Sequence, residues 1–288
     1  LTLNSPEVIV SVPTSTRPQT LDLAEVEHTI KADGIAGLPG AFDPGWGARL
    51  REDFEAAFAD ALSIEDGTVG RGPNRYYFAL QPERLRGFLD LMTHPWLTTL
   101  CERMLGADWT LVEVGFDVPL PGAVDQPWHR DFPTPEDTAA TGVLTSLAFN
   151  LTTVTVRPDM GPFEIVPGSH LDDGSAFEHG MFPPPEEAAR YAIRARRTMP
   201  KLGDMSVRTG LAVHRGTRNL SAESRPVLVL GMVAPHVVTA EAHDLILTRE
   251  FFRRLPATVR GHLRCTELVD ALVPMVQRHD IEGLKMGA

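Results

Sequence analysis

From Trp109 to about Ala234 the chain is a series of short apolar or alternating runs, "TLVEVGFDV", "GVLTSLAFNLTTVTV", "PFEIVPG", "MSVRTGLAVH" and "VLVLGMVA", set apart by Pro, Gly and Asp. Runs of this length, rich in β-branched side chains and bounded by turn formers, predict strands. Several in succession favour an antiparallel double sheet, a jelly roll or a related barrel. The flanks differ. "LAEVEHTIKADG" closes on Gly34 as a helix C-terminus should, and "GARLREDFEAAFADAL" repeats apolar residues at intervals of three and four. "PERLRGFLDLM" and "HPWLTTLCERML" continue that pattern, which returns in "LILTREFFRRL" and "CTELVDALVPMVQRH". The expectation is a mainly β fold with flanking helices, organised as one unit over residues 1–288. It has a mostly helical part to about residue 106, a core over about 107–240 and a helical part from about 241. Two separate domains are the alternative, but helices that buttress a sheet bury the apolar face of both.

Composition removes several classes of partner. The net charge of -11 disfavours nucleic acid and anionic membranes, which repel an anion. The one basic cluster, "RYAIRARR" at 190–197, has alanines and an isoleucine between its arginines, as a helix face would. No stretch approaches the roughly 20 apolar residues that span a bilayer, and "LTLNSPEVIVSV" lacks the basic start of a signal peptide. Cys101 and Cys265 lie far apart in helix-like segments with no CxxC motif. Free thiols in a cytoplasmic protein are the expectation.

The segment "DQPWHRDF" places His129 and Asp131 two residues apart. On a strand such residues project from one face, so an imidazole and a carboxylate stand side by side while Arg130 points away. One further imidazole from a neighbouring strand completes a two-histidine, one-carboxylate set that leaves positions open at ferrous iron. His214, at the end of "MSVRTGLAVH", is the candidate. Arg225, eleven residues on, offers a guanidinium that can grip a distal carboxylate through two parallel hydrogen bonds. The spacing alone is not decisive, because His170 and Asp172 in "PGSHLDD" share it.

Four blocks in order resemble the phytanoyl-CoA dioxygenase family of iron(II)- and 2-oxoglutarate-dependent oxygenases: "IKADGIAGLPGAFD", "QPWHRD", "GPFEIVPGSH" and "LGDMSVRTGLAVHRGTRNLSAESRP". The resemblance implies a double-stranded β-helix (cupin-like jelly roll) core. It assigns metal binding to His129, Asp131 and His214, and 2-oxoglutarate binding to Arg225. It also puts His170 in a turn rather than among the ligands, near the substrate or in packing. Gln126, Asn150 and Thr152 are further candidates for contact with the oxo acid or for orienting a ligand. Asn150 and Thr152 share one strand face, though solvent-facing polar residues look the same. The resemblance places "RGPNRYYFAL" over the pocket mouth, which makes Arg71, Asn74, Arg75 and Tyr77 substrate-contact candidates against a background of ordinary loop packing. Trp128 is expected in the core.

The function so implied consumes O2 and 2-oxoglutarate at Fe(II), releases succinate and CO2, and hydroxylates an unactivated C–H bond of a small molecule. Desaturation, epimerisation and ring closure are open to the same chemistry. A secondary metabolite or amino-acid-like substrate is favoured over an acyl-CoA, whose phosphates need cationic help that an acidic chain supplies poorly. Two rivals stand beside it: a cupin-like metalloenzyme that does not use 2-oxoglutarate, which gives Arg225 no role, and a non-catalytic binding module. Oligomeric state is not legible.

Overall fold

The computed structural model describes residues 21–237 and 245–277. The segment weighed as a signal peptide, and the last residues of the C-terminal helical expectation, lie outside them. The described chain opens with α1 (Leu23–Asp33), capped by the Asp22 carboxylate on the amides of Ala24 and Glu25 and stopped by Gly34 in the left-handed region at φ 81°. β1 (Ile35–Leu38), α2 (Pro44–Leu62), the short β2 (Val69–Gly70) and β3 (Arg75–Ala79) follow. Next come α3 (Phe88–Met92), α4 (Pro95–Leu105), the long β4 (Thr110–Pro119), α5 (Glu136–Thr141) and β5 (Ser146–Thr152). β6 (Phe163–Ile165), α6 (Pro185–Arg194), β7 (Arg196–Arg197), β8 (Met205–Arg208), β9 (His214–Gly216) and β10 (Val227–Val233) complete the central region. β11 (Ile246–Thr248), α7 (Arg249–Arg254), α8 (Ala257–Gly261) and β12 (Glu267–Val269) close it.

Seven strands form one antiparallel sheet in the order β1-β8-β5-β10-β4-β3-β2, and β7-β6-β9 form a smaller one. This is the expected jelly roll with flanking helices. Alternation along the large sheet sorts its side chains. Leu147, Phe149 and Leu151 on β5, Leu228 and Leu230 on β10, and Val114, Phe116 and Val118 on β4 face outward onto the helices. They share one apolar core with Val26 and Ile30 of α1, Trp46 and Phe54 of α2, and Leu97 and Leu100 of α4. The opposite faces, with Asn150 and Thr152, Val227 and Val229, Asp117, and Ser206 and Arg208, line a cavity of about 440 Å³ that β6 and β9 also border.

One expectation needs correction, near the C-terminus. The first third is mostly helical, as expected, yet it also contributes β1, β2 and β3 to the large sheet. These segments are only two to five residues long, too short to show a period against the helices around them. In the C-terminal part "CTELVDALVPMVQRH" is not a helix over its described residues. Glu267–Val269 pairs in parallel with β11, and residues 270–277 have no helix. Pro274 breaks the pattern there. "LILTREFFRRL" is a strand turning into a short helix at Thr248, whose hydroxyl caps it through the Phe251 amide. Cys101 is buried in α4, whereas Cys265 precedes β12 rather than sitting in a helix; both are free.

Candidate metal centre

The backbone brings the two histidines together. His129 is not inside a regular strand but makes a single antiparallel bridge to His214 on β9, each amide donating to the other's carbonyl at 3.0 and 2.9 Å. Residues directly opposed in this way show their side chains to the same face, and the two imidazole centroids are 4.4 Å apart. Two residues on, the Asp131 amide donates to the Gly210 carbonyl at 2.8 Å, which returns its side chain to the same side. His129, Asp131 and His214 each offer a ligand atom, and the three lie within 4.8 Å of one another. His214 Nε2 is 3.2 Å from Asp131 Oδ1.

Protonation states suit a divalent metal. His129 Nδ1 is 2.8 Å from the Pro127 carbonyl and His214 Nδ1 is 2.8 Å from the Ala212 carbonyl. A carbonyl only accepts, so both Nδ1 atoms carry the proton and both Nε2 lone pairs are free to ligate. Burial, reinforced by the neighbouring His214, pushes the His129 imidazole down to about 3, so it is neutral at physiological pH. Burial works to raise the Asp131 carboxyl, but the Arg208 guanidinium and His214 outweigh it and hold it well below the usual carboxylate range. Two imidazoles and an anionic carboxylate are the donor set that iron(II) takes in a facial triad. The Asp131 side chain keeps 33% of its exposure because it opens into the cavity.

Arg225 lies in the loop just before β10, not on the strand, and its side chain is only 4% exposed. That loop is built by Asn219, whose amide donates to the carbonyls of Pro119 and Glu223 while its oxygen accepts from Ser221. Arg225 lines the same cavity as the three candidate ligands. Among the described residues its nearest carboxylate is Asp117 at 4.0 Å, which already binds Arg75 at 3.0 Å, and its Nε has no hydrogen-bond partner. Burial lowers its pKa to about 10, which leaves it cationic at neutral pH.

The other sequence candidates divide. Gln126, Asn150, Thr152, Arg71 and Tyr77 all line the cavity. Gln126 also holds the ligand strand in register, through its Oε1 on the Gly216 amide at 2.9 Å, and the Thr152 hydroxyl is engaged with the Val154 carbonyl at 2.9 Å. Arg75 is not a wall of the cavity. It is buried at 1% exposure, donating to Asp117 and to the Thr217 carbonyl, and supports the loop beneath Arg225. Asn74 is a turn residue at φ 55°, off the cavity, as its place before β3 requires. His170 is also off the cavity: its Nε2 is 3.1 Å from the Lys31 carbonyl, and its ring packs where a Cβ on Gly34 would stand. Trp128 is in the core, clustered with Val166, Phe177, Tyr191 and Val213.

Arg208 was not singled out from the sequence, although it contacts the site directly, its Nη1 donating to Asp131 Oδ2 at 2.5 Å. The available signal was its alternation with Ser206 in "MSVRTG", which sets both on the face opposite Met205 and Val207.

A jelly roll whose cavity wall carries two imidazoles and a carboxylate on one point, with a buried guanidinium beyond, is the framework of a mononuclear non-heme metalloenzyme. The chain belongs to the phytanoyl-CoA dioxygenase (PhyH) family, a family of iron- and 2-oxoglutarate-dependent oxidoreductases, whose model matches residues 30–227. It is similar to the dioxygenase andF of Emericella variicolor, 28% identical over 202 residues. That match takes in 66% of this chain and spans 58% of the relative's length. Two crystal structures from nogalamycin biosynthesis are similar in fold. They are the non-heme α-ketoglutarate-dependent carbocyclase SnoK (TM-score 0.59, 18% identity, 75% of this chain and 85% of that one) and epimerase SnoN (TM-score 0.54, 21% identity, 74% and 80%). No helix among the described residues is long and apolar enough to cross a membrane.

Proposed function

We propose that the protein is an Fe(II)- and 2-oxoglutarate-dependent dioxygenase that oxidises a C–H bond of a small molecule, releasing succinate and CO2. The observation that carries this reading is one cavity shared by three converging ligand atoms and a buried, incompletely partnered arginine. His129, Asp131 and His214 hold the metal in this reading. Arg225 binds the far carboxylate of the oxo acid through its guanidinium fork. Iron and 2-oxoglutarate, when bound with O2, supply the oxidising power. The protein's share is to orient both and to keep the cavity dry. Val227 and Val229 exclude water beside Arg225, while Asn150 and Gln126 offer amide groups along the same wall.

The arginine separates this reading from a cupin-like enzyme without the oxo acid, which has no use for a desolvated cation there. Hydroxylation is the default outcome. A carbocyclase and an epimerase among the similar folds support keeping ring closure and epimerisation open. The substrate is read as a secondary metabolite or amino-acid-like molecule. A cavity of about 440 Å³ that must also admit the oxo acid is sized for a small molecule rather than for an enclosed acyl-CoA. The test is anaerobic titration of metal-free protein with ferrous iron and then 2-oxoglutarate, followed by the weak visible charge-transfer band of the chelate. Appearance of the band supports the assignment; iron binding without it moves the enzyme to the cupin-like class.

A further inference from the structure

Asp131 is held asymmetrically. Its Oδ2 accepts from Arg208 Nη1 at 2.5 Å, and a Cβ added at Gly210 would stand 2.6 Å from Phe132 Cε1, 2.8 Å from that same oxygen and 3.2 Å from the Asp131 Cβ. The Gly210 backbone, which accepts the Asp131 amide, therefore closes one side of Oδ2 while the guanidinium closes another. Oδ1 is left facing His214 Nε2 at 3.2 Å.

The strand register sets this up. Arg208 opposes Ala148 of β5, and its inward-facing side chain is 8% exposed, with the guanidinium 5.6 Å from the centre of the Phe163 ring. Among the described residues its Nε has no hydrogen-bond partner, so the interaction with Asp131 is the principal polar engagement of a buried cation. A cation is costly to bury unless its pairing is put to use.

We propose that Arg208 is a positioning residue that confines Asp131 to coordination through a single oxygen, and that Gly210 is the glycine that lets it do so. The inference rests on the metal-site reading above. Its chemical consequence is for open positions: with one oxygen from Asp131 beside His129 and His214, a bound metal would keep room for a chelating oxo acid and one further group. A carboxylate bound through both oxygens would take up that room.

The experiment uses Co(II) alone as the probe, with affinity and the visible ligand-field spectrum as readouts that need no turnover. Arg208→Met keeps the stem against Phe163 and removes the fork; Arg208→Lys keeps the charge. Loss of an outer partner to a ligand weakens metal binding by roughly 10- to 100-fold. Arg208→Met is expected to fall in that range with an altered spectrum, and Arg208→Lys to recover part of the loss. Should Arg208→Met not fold, Gly210→Ala crowds both the Phe132 ring and the same oxygen from the other side and is expected to change the spectrum likewise. Wild-type affinity and spectrum in the folded arginine variant, or in Gly210→Ala, while Asp131→Ala loses the metal, overturn the role of Arg208 and leave the metal site standing. If Asp131→Ala binds Co(II) like the wild type, the metal site itself is wrong and the inference goes with it.

Discussion

Replacing Arg225 with methionine separates a residue kept for a ligand from one kept for the fold. In the protein without ligands the Arg225 guanidinium is desolvated, 4.0 Å from a carboxylate that Arg75 already engages at 3.0 Å, with one nitrogen unpartnered. A buried cation so placed contributes little to stability, and a hydrophobic residue of similar volume is often neutral or better. Removing it does not strand Asp117, which keeps Arg75. The thermal midpoint of the metal-free variant is therefore expected to equal or exceed that of the wild type.

Binding of the oxo acid responds in the opposite sense. Truncating one partner of a buried, hydrogen-bonded charge pair costs roughly 2–5 kcal/mol, and at about 1.4 kcal/mol per decade the dissociation constant of 2-oxoglutarate rises roughly 30- to 5,000-fold. Two assays read it. In the anaerobic titration the charge-transfer band shifts to higher 2-oxoglutarate or vanishes. In a thermal melt, ligand at 100 times the wild-type dissociation constant stabilises the wild type by about 2.7 kcal/mol, and the variant by far less. A variant that melts much earlier yet binds 2-oxoglutarate with unchanged affinity refutes the reasoning, because Arg225 would then be structural.

His129→Ala and His214→Ala should each weaken Co(II) or Fe(II) binding beyond the roughly 10- to 100-fold expected of an outer partner, measured by titration calorimetry; near-wild-type affinity in either removes it from the ligand set. Phe149→Ala, which empties a fully buried position on the helix-facing side of β5, should cost roughly 3–5 kcal/mol in denaturant unfolding. A loss below about 1 kcal/mol would mean that this face is not the core. His94 caps α4 by accepting from the Trp96 amide through Nδ1 while its Nε2 donates to the Ala41 carbonyl, so the cap on Nδ1 needs the neutral ring. Burial accordingly lowers its pKa from 6.5. Below that value the unfolded chain takes up a proton that the folded chain resists, so stability is full above about 6.5 and falls with acidification. Urea titrations of metal-free protein between pH 7.5 and 5 should show a shallower decline in His94→Asn, which can still cap; an unchanged slope excludes His94 as a contributor.

Much of the site was legible because strand geometry is periodic. The i, i+2 rule put His129 and Asp131 on one side, and it put Asn150 and Thr152 together on the cavity wall. Glycine chemistry marked the end of α1. The choice between the two His-x-Asp pairs came from the family resemblance, which put His170 in a turn, and His170 packs against Gly34 off the cavity.

Long-range pairing was not legible. Arg75, a substrate-contact candidate by its place in an aromatic stretch, is drawn under the sheet edge by Asp117 and a carbonyl 142 residues away. The bridge that opposes His129 to His214 spans most of a hundred residues and leaves no local trace. Which oxygen of Asp131 meets Arg208, and that Gly210 must lack a side chain for it, depends on three segments meeting in space. Local sequence determined the strands, the caps and the residue types able to ligate a metal, because backbone sterics and side-chain period act within a few residues. Only the closed double sheet decided which of those groups share a cavity and which are buried in its support, because desolvation and pairing belong to neighbours that the chain order does not name.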